Sequence, residues 1–233
     1  SHYIPGDDNT SPVGIAVDEN SDFIFSSSDT VSAFKVNGVT QELQAIILPD
    51  VVNRVVNGNN TIAPGPIETR VDNKIWIGYT HPLSTFMCLY ENNGEFISRH
   101  DLPDASHPVD ILCDPYNETW VLGAGIGKDT GTLLHLDATG KSIHTISDIP
   151  MPGMLAMDAD DNIWFSYGAN RLRKISRKTH RRVHDMELGQ KYPPPYNFIS
   201  AIEGLASDLE GNILVIQNLD KKLYLVNGSD PFA

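Results

Sequence analysis

Three carboxylates, Glu68, Asp110 and Glu203, stand near the starts of apolar stretches in separate parts of the chain, with His107 close to the second. Carboxyl groups gathered from different strands can divide their roles. One with a raised pKa acts as general acid, one stays ionised as base or nucleophile, and a third tunes both. Glycosides or lactones are the substrates such chemistry would hydrolyse. Oxygen ligands also suit a hard cation, so Asp110 and Glu203 are the expected ligands if Ca²⁺ is bound. Without hydrolysis or Ca²⁺ the three are simply solvated carboxylates, and no catalytic residue, metal or cofactor is expected.

A second group of residues is suited to contact rather than bond making. The segment "KYPPPYNF" carries Tyr192, Tyr196 and Phe198 on a proline-stiffened backbone. Pre-ordered aromatic side chains give broad amphipathic contact with little entropy to lose, which fits sugar stacking or a protein partner. His81, in "GYTHPLSTF", and His107 complete the expected ligand-binding set. His81, His107, His135 and His144 show no HxxxH or HxH spacing, so the sequence holds no local metal motif built on them. "GAGIGKDTG" has the glycines and lysine of a phosphate cradle, but such a cradle needs a helix to follow, and the strand-like "TLLHLD" follows instead. Cys88 and Cys113 lack CxxC spacing and sit in apolar runs, as buried free thiols do.

Charge narrows the partners. Lys and Arg number 17 against 30 Asp and Glu, a formal net charge of -13. A field of that sign repels phosphate backbones and anionic lipid, so neither nucleic acid nor a membrane is an expected partner. No apolar run approaches the ~18 residues of a membrane span, and no charged-then-apolar leader is present. The chain opens on Ser1, His2 and Tyr3 without a Met, and a segment of a longer protein is expected. Four sequons, at Asn9, Asn59, Asn117 and Asn227, would permit glycosylation in a secreted setting.

The elements that must position these residues form a repeat. Five segments align: "SPVGIAVDENSDFIF", "APGPIETRVDNKIWI", "HPVDILCDPYNETWV", "MPGMLAMDADDNIWF" and "AIEGLASDLEGNILV". Their second places, Pro12, Pro64, Pro108, Pro152 and Ile202, lie 44 to 52 residues apart. That is close to the ~40–50 residues of one four-stranded propeller blade. Asp18, Asp114, Asp158 and Asp208 fill the eighth place, where the second copy has Arg70, and Ile24, Trp76, Trp120, Trp164 and Leu214 follow six residues later. Each copy thus reads as an apolar strand, a turn of residues that tolerate left-handed geometry, and a second strand carrying the aromatic. The Asp is expected to cap the hairpin and the Trp to fill the space between blades.

The expected fold is all-β: a five-bladed β-propeller of four-stranded antiparallel blades, one domain over 1–233 with repeats starting near 11, 63, 107, 151 and 201. The fifth copy lacks a fourth strand, and the segment around Tyr3 is expected to supply it and close the ring, removing an open edge. Departures from the repeat are where function is expected. They are 78–86 ("GYTHPLSTF") and 123–131 ("GAGIGKDTG") between second and third strands, and 51–65 and 189–200 between blades, all expected as loops on one face.

"MPGMLAMDADDNIWFSYGANRLRKIS" resembles a blade of the streptogramin-lyase-like and NHL-type propellers, and of the periplasmic sensor propellers of two-component regulators; "IEGLASDLEGNILVI" is similar to gluconolactonase-like blades. The resemblance spans all five copies and implies the fold. Those families mostly have six or seven blades, so five is a departure. The lyases' catalytic His and Glu have no counterpart that can be placed here residue by residue, so that activity is not implied. The first functional expectation is a non-enzymatic recognition module of a larger extracellular, periplasmic or virion-surface protein, such as an adhesin or a viral host-recognition device. It would bind a glycan or protein through His81, His107, Tyr192, Tyr196 and Phe198. The alternatives are a glycoside or lactone hydrolase using Glu68, Asp110 and Glu203, and a structural platform that spaces other domains.

Overall fold

The structure, a computed structural model, describes residues 12–27, 32–46, 63–81, 84–102, 106–125, 129–189, 202–218 and 221–228. Every regular element among them is a strand, as the alternating pattern predicts. Blade 1 is β1 (Pro12–Val17), β2 (Phe23–Ser27), β3 (Ser32–Val36) and β4 (Leu43–Ile46); blade 2 is β5 (Ala63–Thr69), β6 (Ile75–His81), β7 (Ser84–Tyr90) and β8 (Phe96–Asp101). Blade 3 is β9 (Ser106–Cys113), β10 (Thr119–Gly125), β11 (Thr130–Leu136) and β12 (Ser142–Pro150). Blade 4 is β13 (Leu155–Met157), β14 (Asn162–Tyr167), β15 (Arg171–Ser176) and β16 (Arg182–Glu187), and blade 5 is β17 (Ile202–Ser207), β18 (Ile213–Gln217) and β19 (Lys222–Val226). Within each sheet the strands follow chain order, and the pairings are antiparallel meanders. The fold is a five-bladed β-propeller. Its fifth sheet has three strands, and the expected closing strand near Tyr3 lies outside the described residues.

Turn chemistry sets the hairpins. The Oδ1 of Asp18 accepts the backbone N–H groups of Asn20 and Asp22, both at 2.9 Å. Asp158 does the same for Asp160 and Asn162, and Asp208 for Glu210 and Asn212. A side chain that satisfies two turn amides substitutes for the backbone partners that a reversing chain lacks. Three residues past each repeat position the backbone turns left-handed, at Ser21 (φ 63°), Asn73 (φ 61°), Asn117 (φ 63°), Asp161 (φ 60°) and Gly211 (φ 80°). Only the fifth copy places glycine there. Exposed Ser21→Gly is therefore expected to raise stability by about 0.5–1 kcal/mol, read as a higher denaturant midpoint; a lower midpoint would show that the Ser21 side chain matters more than its backbone angle.

The chain groups into two compact units, 1–117 and 118–233. In the first, Ile24, Ala33, Ile67, Ile75, Ile77, Tyr79, Phe86, Cys88 and Tyr90 form the core, with the Tyr79 and Tyr90 hydroxyls 3.1 Å apart inside it. In the second, Trp164 and Leu172 of blade 4 pack with Ile202, Ile213, Val215 and Val226 of blade 5. Trp76, Trp120 and Trp164 are at most 1% exposed, so the repeated aromatic is core, as its recurrence implied. Cys88 is a buried free thiol, pushed up to about 11 by burial, and Cys113 is a half-buried one.

Two stretches expected as loops are mostly strand. In 78–86, Tyr79 pairs with Phe86, Thr80 with Thr85 and His81 with Ser84, and the Tyr79 and Phe86 rings stack at 5.2 Å with no exposure. In 123–131, Gly123 pairs with Thr132 and Ala124 with Gly131. Glycine and proline marked these stretches as punctuation, yet cross-strand aromatic packing extends the hairpin through the first of them. The other two expected loops fall almost wholly outside the described residues.

Candidate functional site

Glu68 is next to last on β5 and pairs across the hairpin with Trp76. Asp110 lies within β9, which packs against β5 and β6 of the same unit. The approach is close: a Cβ on Gly78 of β6 would lie 2.8 Å from Pro108 Cγ. Only a residue without a side chain lets Pro108, and Asp110 two residues on, come in this far. Two inner strands of neighbouring blades thus pack together, one carrying Glu68 and the other Asp110.

The pairing changes the chemistry of Glu68. Its carboxyl is pushed up to about 8, first by burial and then by the negative charge of Asp110; the backbone N–H of Thr69 donates to it and draws it partly back. The side chain is half-buried, so part of it reaches water while burial still disfavours its charged form. At neutral pH Glu68 holds its proton. A neutral carboxylic acid beside a second carboxyl group can donate one hydrogen bond and accept several, or can deliver a proton to a leaving group. Asp110 itself accepts the backbone N–H of Ile111 at 3.0 Å, which orients its carboxyl along the strand.

The remaining expected site residues fall elsewhere. His107 is half-buried on β9, three residues before Asp110, and His81 ends β6. Glu203 lies in the second unit on β17, at the register shift between Ile202 and Gly204, where it is exposed and accepts a hydrogen bond from Asn218 Nδ2 at 2.5 Å. Asp110 and Glu203, the expected Ca²⁺ ligands, thus belong to different units. Tyr192, Tyr196 and Phe198 lie outside the described residues. Of the three carboxylates, the first unit brings Glu68 and Asp110 together.

By sequence the chain matches no family profile and no curated protein. Solved structures do match. A catalytically inactive virginiamycin B lyase from Staphylococcus aureus, with quinupristin, aligns over 96% of this chain and 69% of its own at 15% identity, with a TM-score of 0.70. A streptogramin B lyase aligns over 95% of this chain and 67% of its own at 21% identity and TM-score 0.68. The chain has the fold of the streptogramin-lyase propellers. The same fold carries recognition: a nidogen/laminin complex aligns over 94% of this chain and 77% of the other at 15% identity, with a TM-score of 0.65. At these identities the likeness extends to the fold alone, as the absence of a placeable lyase His and Glu pairing in the sequence already implied.

Proposed function

We propose that this protein is a recognition module that takes a hydroxyl-rich ligand, a glycan above all, at the Glu68 and Asp110 pair. The observation that carries the reading is a half-buried Glu68 on β5, its carboxyl pushed up by burial and by Asp110 of the packed inner strand β9. Neighbouring hydroxyls on a sugar each donate and accept, and a neutral acid next to a carboxyl acceptor matches that alternation. Tyr192, Tyr196 and Phe198 for stacking and His81 and His107 for polar contact are the further ligand-binding residues of this reading, and a protein partner is the alternative ligand. The acidic surface accords with a partner that is neither nucleic acid nor membrane, and no helix among the described residues is long and apolar enough to cross one. An extracellular, periplasmic or virion-surface location, with further domains of a parent protein, fits such a module.

The raised Glu68 also favours a second reading, hydrolysis of a glycoside or lactone with Glu68 as acid and Asp110 as base or nucleophile. Ca²⁺ as a cofactor would belong to that reading. One experiment separates the two: a glycan panel tested by thermal shift and for product release, with the wild type, Glu68→Gln and Asp110→Asn. Recognition predicts a stabilising glycan whose affinity falls at least tenfold in Asp110→Asn and only a few-fold in Glu68→Gln, because the amide still donates. Hydrolysis predicts turnover that drops by about 10²–10⁴ in Glu68→Gln while binding persists. A panel without product removes the second reading, and one without any saturable shift removes the first.

A further inference from the structure

Strand β11 of blade 3, in the second unit, departs from the third strands of blades 1 and 4. In blades 1 and 4 the turn aspartate pairs with a lysine on the third strand: Lys35 Nζ lies 2.7 Å from Asp18, and Lys174 Nζ 2.7 Å from Asp158. Those lysines pair across the sheet with Ile24 and Trp164, and the residue that pairs with Trp120 in the same way is His135. An imidazole thus replaces an ammonium. His135 is 4% exposed and lies flat on the Trp120 indole, ring centroids 3.8 Å apart and planes at 11°.

Two more imidazoles gather there. His144 pairs with His135 across β11 and β12, and its ring stacks on that of His180 at 4.2 Å. His180 comes from the turn between β15 and β16 of blade 4, and its Nε2 stands 2.8 Å from His135 Nδ1. The other nitrogen of His135 lies 3.0 Å from Glu118 Oε2, which also accepts from Arg177 Nη2 at 2.6 Å. A carboxylate on Nε2 selects the tautomer that carries its proton there, so Nδ1 faces His180 with a lone pair. His180 completes the contact by donating from Nε2. Its backbone is left-handed (φ 56°) at the end of a turn where blades 2 and 3 have Gly94 (φ 88°) and Gly140 (φ 84°). Blade 1 has Gln41 (φ 60°) at the same place, so blades 1 and 4 carry side chains where blades 2 and 3 have glycine.

We propose that His135 and His180 form a binding site for a late first-row divalent cation such as Cu²⁺, Zn²⁺ or Ni²⁺. The metal would bind at the two facing nitrogens, His135 Nδ1 and His180 Nε2, with the proton that His180 now donates passing to its own Nδ1 so that both rings stay neutral. Imidazole nitrogen suits this part of the transition series and not Ca²⁺ or Mg²⁺. Glu118, bonded to the far nitrogen of His135, orients the ring and raises its basicity, as carboxylates behind metal-bound histidines do. Arg177 from blade 4 fixes that carboxylate, so the same turn that delivers His180 also holds its orienting partner.

The test is calorimetric titration of tag-free protein with ZnCl₂ and with CuCl₂ at pH 7.5, with CaCl₂ as control. The expected result is one saturable site per chain, tighter for Cu²⁺ than for Zn²⁺ and indifferent to Ca²⁺. His180→Gly removes the imidazole and suits the left-handed backbone, so it should fold at least as well while weakening binding at least tenfold. Glu118→Gln should weaken it about tenfold. No saturable binding by the wild type, or unchanged binding by His180→Gly, overturns the proposal.

Discussion

Asp158→Ala is expected to destabilise the folded chain by about 3–5 kcal/mol. The side chain is 1% exposed and serves three tasks at once. Its Oδ1 accepts the Asp160 and Asn162 amides of the turn at 3.0 and 2.9 Å; its Oδ2 accepts the Trp164 indole N–H at 2.9 Å and pairs with Lys174 Nζ at 2.7 Å. Removing it leaves the lysine, itself only 4% exposed, with the carbonyl oxygen of Gly228 but no countercharge. An ion stranded in the interior is the dominant penalty, because its lost hydration is no longer offset. Asp208→Ala is the control: it makes the same turn bonds, but Leu225 stands where the lysine would, so about 1 kcal/mol is expected. Chemical denaturation of both variants decides the matter. Equal losses would mean that the turn, and not the buried pair, carries the energy, whereas recovery in the double variant Asp158→Asn/Lys174→Met would confirm the pair.

Glu68→Gln should act in the opposite direction, increasingly as pH rises above about 4.5. The folded-state pKa is raised from 4.5 to about 8. Between those values the folded chain holds a proton that the unfolded chain has released, so stability is full below about 4.5, falls as pH rises, and levels off above about 8. A shift across that window is worth at most about 5 kcal/mol. Because Glu68 is half-buried, water screens part of it, and about 2–3 kcal/mol is expected. Glutamine keeps the shape without the charge. The variant should match the wild type near pH 4.5 and melt roughly 5–10 °C higher at pH 8. Parallel melting curves across pH 4–9 would place Glu68 in open water and withdraw the acid on which both functional readings depend.

Local rules made much of this molecule legible. The Asp at the eighth place of the repeat and the aromatic six residues on announce a hairpin and its buried face, and Asp158 with Trp164 is that pattern realised as a hydrogen bond. The same rules misread 78–86, because the glycine and proline there suggested a loop while Tyr79 and Phe86 extend a hairpin into the core. They also named Glu68, Asp110 and Glu203 by blade position, without showing what each one meets. Glu203 falls on a β17 bulge and turns to its own neighbour Asn218, whereas Glu68 and Asp110 lie on packed neighbouring strands.

The histidines make the division plainest. No spacing in the sequence joins His135, His144 and His180, and in space they form a continuous cluster against Trp120. Strand alternation, turn type and repeat period are set by neighbours along the chain, so the sequence alone determined the five blades and their core. Which side chain meets which across two blades depends on register, bulges and the glycines that admit close approach. Those are decided when sheets pack, and so the raised Glu68 and the facing imidazoles belong to the tertiary structure.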